Sequence, residues 1–319
     1  MREPFERPAA RRRALPAVVA WPLPLLVIFS LMTVACGNVP PKVLPGAAEW
    51  HLTAMQVDST RTAGLGQGEV IALIDTGLSP AFLPKVAARV VNPWNAITET
   101  ALVLDDNGHG TEVAVIAGGS GDSEVWGLAP GARLMPIKVA DARGNASPQA
   151  VAAGIRWAVS HRATVVNLSL ATLVTNDDLS ATILAAMRAG IVVVASAGDA
   201  GIAGAEFPAS VPGVIAVYGQ DHNGRIAPDS NLPDGMGVLA PGIDIAALSV
   251  DGSGARRNHL NGTSAAAAII SGVIADCRSS LLAAGYPGLG VNLECETRVE
   301  HSGEPYGFLN VNQVLEVNR

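Results

Sequence analysis

Charge is scarce in this chain. Only 15% of the 319 residues are Asp, Glu, Lys or Arg, and the balance is mildly acidic at −7. A nucleic-acid surface would want clustered Lys and Arg, so this composition argues against such a partner. Aromatic residues are few, at 4%, and no repeat of solenoid length is present. Metal-ligand spacing is also missing. His51, His161, His222, His259 and His301 form no His-Glu-x-x-His pattern and read as surface or packing residues. No cofactor is implied. What the chain does have is apolar mass, at 49% hydrophobic, with 34 glycines that suit close packing of helices on a sheet. One large α/β domain behind an export segment is the economical reading.

Residues 1–36 read as that segment. Arg11-Arg12-Arg13 precedes an apolar stretch from Leu15 to Ala35, and Cys36 follows at once. Pro16, Pro22 and Pro24 disfavour a membrane-spanning helix near its start. The apolar length nevertheless matches a bilayer. Met32-Thr33-Val34-Ala35-Cys36 resembles a bacterial lipobox, which implies lipidation at Cys36. Plain secretion and an uncleaved anchor stay open beside it. The expected location is therefore the periplasmic or cell-surface face of a membrane, held by lipid or by the N-terminal segment. Residues 37–48, rich in Pro, Gly and Ala, read as a linker, and 49–319 as the folded domain. Three cysteines exist; with Cys36 lipidated, Cys277 and Cys295 are left either as a disulfide or as two partly buried thiols.

Beyond the linker, short apolar runs alternate with helical patterns. Strands are expected at Glu69–Ile74, Arg133–Val139, Thr164–Leu168, Ile191–Ala195 and Val214–Val217. Helices are expected at His109–Ala117, Pro148–His161 and Asp178–Ala189, and through Ala265, Ala268 and Gly272. Continuous apolar strands alternating with helices predict a mostly parallel sheet covered on both faces. Functional groups gather at the carboxyl ends of such strands.

Three phrases carry the chemistry: Ile74-Asp75-Thr76-Gly77, His109-Gly110-Thr111 and Asn261-Gly262-Thr263-Ser264. Each alone is ordinary: a turn, a loop, a helix cap. Together they supply an acid, an imidazole and a hydroxyl, each at an element's end. That set fits nucleophilic catalysis in which His109 takes a proton from Ser264 and Asp75 orients His109.

With Gly127 to Ala132, Ile137-Lys138-Val139, Val165 to Leu170, Val192 to Gly198, Phe207-Pro208-Ala209 and Ala240-Pro241-Gly242 in order, these phrases resemble the subtilases, the subtilisin-like serine peptidases, from about Trp50 to about Ala275. The resemblance implies a three-layer α/β fold with a seven-stranded parallel sheet. It implies a serine endopeptidase with triad Asp75, His109 and Ser264, acting on protein or peptide. Substrate would pair with cleft edges at Ser169, Leu170 and Ala171 and at Ser196, Ala197 and Gly198.

Departures from the family pattern are informative. Asp199 stands where Asn usually donates to the oxyanion; a protonated Asp199 would donate instead and displace activity to lower pH. That substitution supports an alternative reading, a catalytically weak exported module that binds peptide or protein. Ala268 and Ile269 replace a usual Pro-His pair, and Ala171 a usual Gly. Only about a dozen residues separate Cys36 from the match, too few for a folding propeptide. No acidic residue besides Asp199 marks the pocket for the residue before the scissile bond, so strict cleavage after Arg or Lys is not expected. Asp105 and Asp106 read either as a solvated turn or as a lure for a basic substrate residue. Calcium is implied by some relatives, but Gly119-Ser120-Gly121-Asp122-Ser123 makes no recognisable site, and no metal is assigned.

Overall fold

The computed structural model describes residues 50–55, 64–120, 125–234, 237–251, 254–286, 291–292 and 294–295. The export segment with Cys36, the linker at 37–48, His301 and residues 121–123 of the 119–123 segment lie outside these described residues.

The centre of the molecule is a seven-stranded sheet. Its strands are β1 (Val70–Asp75), β2 (Trp94–Asn95), β3 (Arg133–Lys138), β4 (Val165–Leu168), β5 (Val192–Ser196), β6 (Ile215–Gln220) and β7 (Val238–Pro241), in the order β2-β3-β1-β4-β5-β6-β7. Every pairing is parallel. All six residues of β1 are buried, as expected for a Val/Ile/Leu run covered on both faces.

Alternation along β1 divides the core in two. Ile71 and Leu73 face helices α3 (His109–Gly118) and α6 (Thr263–Ala283), while Val70, Ala72 and Ile74 face α4 (Pro148–Ser160) and α5 (Asp177–Arg188). Local signals set the helix starts. Ser147 accepts from Ala150 N–H ahead of Pro148, and Asn176 accepts from Leu179 N–H ahead of two aspartates. Helix α6 is long and apolar enough to cross a membrane by length and composition, yet most of it is buried here. Ile269, Ile270, Val273 and Ile274 anchor it in the core. Arg278, in its later part, pairs with buried Glu69 at 2.6 Å.

Two short helices, α1 (Trp50–Ala54) and α2 (Leu83–Val86), a 3-10 turn at Ala87–Arg89 and an antiparallel hairpin complete the described elements. The hairpin joins β8 (Ile245–Asp251) to β9 (Gly254–Leu260) and leads directly into α6. Its apolar residues Ile245, Ala247 and Leu248 share a core with α3. Cys277 and Cys295 are joined by a disulfide, with Cα atoms 5.9 Å apart. Because β3 and β4 flank β1 on opposite sides, the chain changes direction across the sheet there. The carboxyl ends of β1 and β4 therefore open a crevice.

Candidate active site

Asp75 ends β1 with its carboxylate only 4% exposed. Its Oδ1 accepts from the Thr76 N–H at 2.7 Å and lies 2.8 Å from Nδ1 of His109, the first residue of α3. With Nδ1 engaged as donor, the opposite ring nitrogen, Nε2, is left as the basic one. The Asp75 charge, set against the cost of burying an imidazolium, pushes His109 up to about 9, with smaller contributions from Glu112 and Asp105.

The turn in front of His109 is held as firmly as the pair itself. Asp105 Oδ1 accepts from Thr76 Oγ1 at 2.9 Å and from Gly108 N at 2.8 Å, while Oδ2 accepts from Thr111 N at 2.9 Å. Thr76 Oγ1 in turn accepts from Gly110 N at 2.8 Å. Burial alone would raise Asp105, but hydrogen bonds from Thr111, Gly108 and Thr76 hold it below the usual carboxylate range. Asp106 bonds Lys138 Nζ at 2.7 Å, and that buried ammonium also donates to Thr76 O at 2.7 Å. Asp105 and Asp106 thus stand in a turn that solvent reaches, with both carboxylates engaged in binding the chain to itself.

Ser264 is the second residue of α6. A polar chain crosses the core to reach it: Ser271 Oγ donates to Asn167 Oδ1 at 2.9 Å, Asn167 Nδ2 to Ser169 Oγ at 2.9 Å, and Ser169 Oγ to Ser264 O at 3.1 Å. The Ser264 hydroxyl is turned to the Ser169 carbonyl at 3.4 Å rather than to His109. Ser264 N–H, at the helix start, has no acceptor among the described residues. Gly262 precedes α6 at φ 105°, and a Cβ there would meet Asp199 Oδ2 at 2.9 Å. With no side chain at Gly262 to cap the helix, Asp199 does so from the end of β5. Its carboxylate accepts from Thr263 N at 2.8 Å and Thr263 Oγ1 at 3.1 Å.

Asp75, His109, Ser169, Leu170 and Ala171 line one cleft of about 270 Å³, with Asn107 and the 140–146 segment on the other bank. Among the described residues the backbone groups of Leu170 and Ala171 have no hydrogen-bond partners, leaving an open edge. The other expected edge differs. Ser196 is 2% exposed with its hydroxyl on Leu168 O, and Ala197 is fully buried. Ala197 N donates to Val217 O, and its carbonyl accepts from Glu206 N and Asn231 Nδ2. Ser196 and Ala197 therefore form a wall whose polar groups are already paired, not a strand edge for substrate.

Several polar residues escaped the sequence reading. Glu112 sits buried one turn after His109 and accepts from Asn258 Nδ2 at 2.7 Å, tying α3 to the hairpin; burial raises it. Lys138 lies buried at the end of β3, and Glu206 in a loop after β5. His161 stacks on Trp157, His222 stacks on Trp50, and His259 pairs with Asp244. Among the described residues no group of three or more His, Cys, Asp or Glu is placed to hold a metal ion.

Comparison with known proteins agrees with this architecture. The Peptidase_S8 model, the subtilase family, matches residues 66–285. The chain belongs to the subtilase family. It is 33% identical over 232 residues to the thermostable alkaline protease of Halalkalibacterium halodurans, covering 72% of this chain and 62% of that protein. It is 33% identical over 230 residues to subtilisin Savinase of Lederbergia lenta, covering 71% of this chain and 82% of that one. A cold-adapted subtilisin-like serine proteinase of known structure superposes with a TM-score of 0.68 at 25% identity, covering 82% of this chain and 96% of its own. The match thus spans less than two thirds of the Halalkalibacterium protein's length.

Proposed function

We propose that this protein is a serine endopeptidase acting outside the cytoplasm. The observation that carries the proposal is the 2.8 Å contact of His109 with buried Asp75 in a cleft it shares with Ser169, whose carbonyl holds the Ser264 hydroxyl. The names of the relatives, proteases all, support the activity.

A peptide lies along the open edge at Leu170 and Ala171, paired as an added strand. A rotation about the Ser264 Cα–Cβ bond frees the hydroxyl from Ser169 and aims it at His109 Nε2. Short rearrangements of this kind are usual between free and substrate-bound sites. His109 takes the Ser264 proton as Oγ bonds to the scissile carbonyl carbon, and Asp75 stabilises the imidazolium. The developing oxyanion meets Ser264 N–H at the start of α6, where the helix dipole also favours negative charge. Collapse breaks the C–N bond, with the amine leaving on the proton from His109. Water, deprotonated by His109, then hydrolyses the acyl-Ser264 ester.

Asp199 supports the α6 start as a hydrogen-bond acceptor in this reading. That orientation favours Ser264 N–H as the main oxyanion donor and leaves the site short of a side-chain donor. The same feature, with the Ser264 hydroxyl turned from His109, favours the second reading, a peptide-binding module with weak turnover. For the N-terminus we propose export followed by lipid attachment at Cys36. Metabolic labelling with a palmitate analogue, lost in Cys36→Ala, tests that attachment.

A fluorophosphonate probe separates the two functional readings. Covalent labelling that disappears in Ser264→Ala identifies a peptidase; absence of labelling beside retained peptide binding identifies the module.

A further inference from the structure

Two strand-end segments approach the start of α6 from different sides. One runs from Ser169 to Thr172, and its Ser169 Oγ reaches Ser264 O at 3.1 Å. The other runs through Ala197 and Gly198, whose N–H reaches Thr263 Oγ1 at 3.2 Å. Both walls thus touch Thr263-Ser264. Farther from the hydroxyl they are bridged: Thr172 N donates to Phe207 O at 2.8 Å, and Phe207 N to Thr172 O at 3.0 Å. The residue just before that bridge is Glu206, whose own N–H is fixed on Ala197 O at 2.8 Å.

The Glu206 carboxylate folds back over Gly198. A Cβ on Gly198 would come within 2.6 Å of Oε1 and 2.7 Å of Cδ, so the missing side chain makes the room that the carboxylate takes. Gly198 also sits at φ 104°, where other residues are strained. Asn231 steadies the acid, donating from Nδ2 to Oε1 at 3.2 Å and to Ala197 O at 2.8 Å. Glu206 is only partly buried, and among the described residues no cation pairs with it. A carboxylate with one fixed hydrogen bond and, among the described residues, no counter-ion thus stands against the Gly198 wall, which touches the residue before Ser264.

We infer that Glu206 is a specificity-determining residue that selects a basic side chain, Lys or Arg, in the substrate residue preceding the scissile bond. The inference rests on the peptidase reading for the direction in which substrate lies. It replaces the expectation that no acid besides Asp199 marks this pocket. The signal was hidden because Glu206, although close in sequence to Gly198, lies in a stretch that reads as surface loop, and only the fold turns it back over that glycine. A charge-assisted hydrogen bond to a carboxylate is stronger than a neutral one by an amount that corresponds to about tenfold or more in affinity.

The test uses the full chain and two peptides differing only by Lys or its apolar isostere norleucine at that position. Hydrolysis by the unmodified protein, and binding to Ser264→Ala of fluorescent peptides ending in either residue, are both measured. The expected result is a preference for Lys of about tenfold or more in both assays, reduced by a similar factor in Glu206→Gln, which keeps the bond to Asn231. Glu206→Asp, retaining the charge on a shorter arm, should keep part of the preference. Equal use of Lys and norleucine by the unmodified protein, or a ratio unmoved by Glu206→Gln, overturns the inference even if hydrolysis is brisk. Lys-selective binding without hydrolysis or fluorophosphonate labelling would instead overturn the peptidase reading and leave Glu206 in its role.

Discussion

Asp105 and Thr76 share a 2.9 Å hydrogen bond that fastens the turn before His109 to the residue after Asp75. The acid and the imidazole come from elements 34 residues apart. Their alignment therefore depends on this fastening as much as on their own contact. Asp105→Ala strands the N–H groups of Gly108 and Thr111 and should lower stability by about 2 kcal/mol, since each buried unsatisfied group costs about 1–3 kcal/mol. Asp105→Asn keeps one acceptor oxygen and should lose less. Urea denaturation of both variants, with kcat measured beside it, checks the order.

Activity should rise with pH along a limb set by His109. Only the neutral imidazole accepts the Ser264 proton, and the Asp75 charge raises His109 to about 9. The midpoint of log kcat/KM against pH should therefore fall well above the ordinary histidine value, toward 9. This runs opposite to the acid-shifted activity that a donating Asp199 would bring. Glu112→Gln should move the midpoint down, because the Glu112 charge contributes to the raise. In stability the sign is equally fixed. A raised folded-state value contributes most below about 6.5, the ordinary histidine value. That contribution fades as pH climbs through about 9, which thermal melts of the unmodified protein and His109→Gln would compare.

Replacing Asp199 by Asn should raise turnover. The amide oxygen can still accept from Thr263 N–H, while the amide N–H₂ adds the donor that the site lacks. A single oxyanion donor is worth about 100- to 1000-fold in subtilisin, the reference case for this effect. A gain of about tenfold or more in kcat is the expected outcome. Asp199→Ala removes the cap without adding a donor, so stability should drop by about 1 kcal/mol with no gain in rate.

The Glu69–Arg278 pair offers a test away from the cleft. Glu69 is 2% exposed, so Arg278→Met leaves a buried carboxylate without its cation. Breaking such a pair from one side costs about 3–5 kcal/mol, and chemical denaturation should show a loss in that range. Replacing both partners by apolar residues should restore much of it.

Much of the architecture was legible because apolar periodicity is local. The strand at Glu69–Ile74 appeared as β1 ending on Asp75, and the expected helix from Pro148 appeared capped by Ser147. The hairpin of β8 and β9 was not expected, although its turn falls at Asp251-Gly252-Ser253-Gly254, a run of turn residues that the sequence itself displays. Within the site, Asp75 and His109 were readable from their phrases. The partners of Lys138 and Glu112, and the bonds of Asp105 to Thr76 and of Glu206 to Asn231, were not, because each joins segments remote in sequence. The inward turn of the Ser196 hydroxyl was not readable for a similar reason: only the assembled sheet shows it reaching Leu168 O.

The polar thread from Ser271 through Asn167 and Ser169 to Ser264 has a further consequence. Ser271 lies two turns down α6, wholly enclosed, and no peptide ever meets it. Ser271→Ala would nonetheless loosen, through Asn167 and Ser169, the hold on the Ser264 backbone carbonyl, so on the peptidase reading variation hunted only along the rim of the groove would overlook a residue that steadies the helix start.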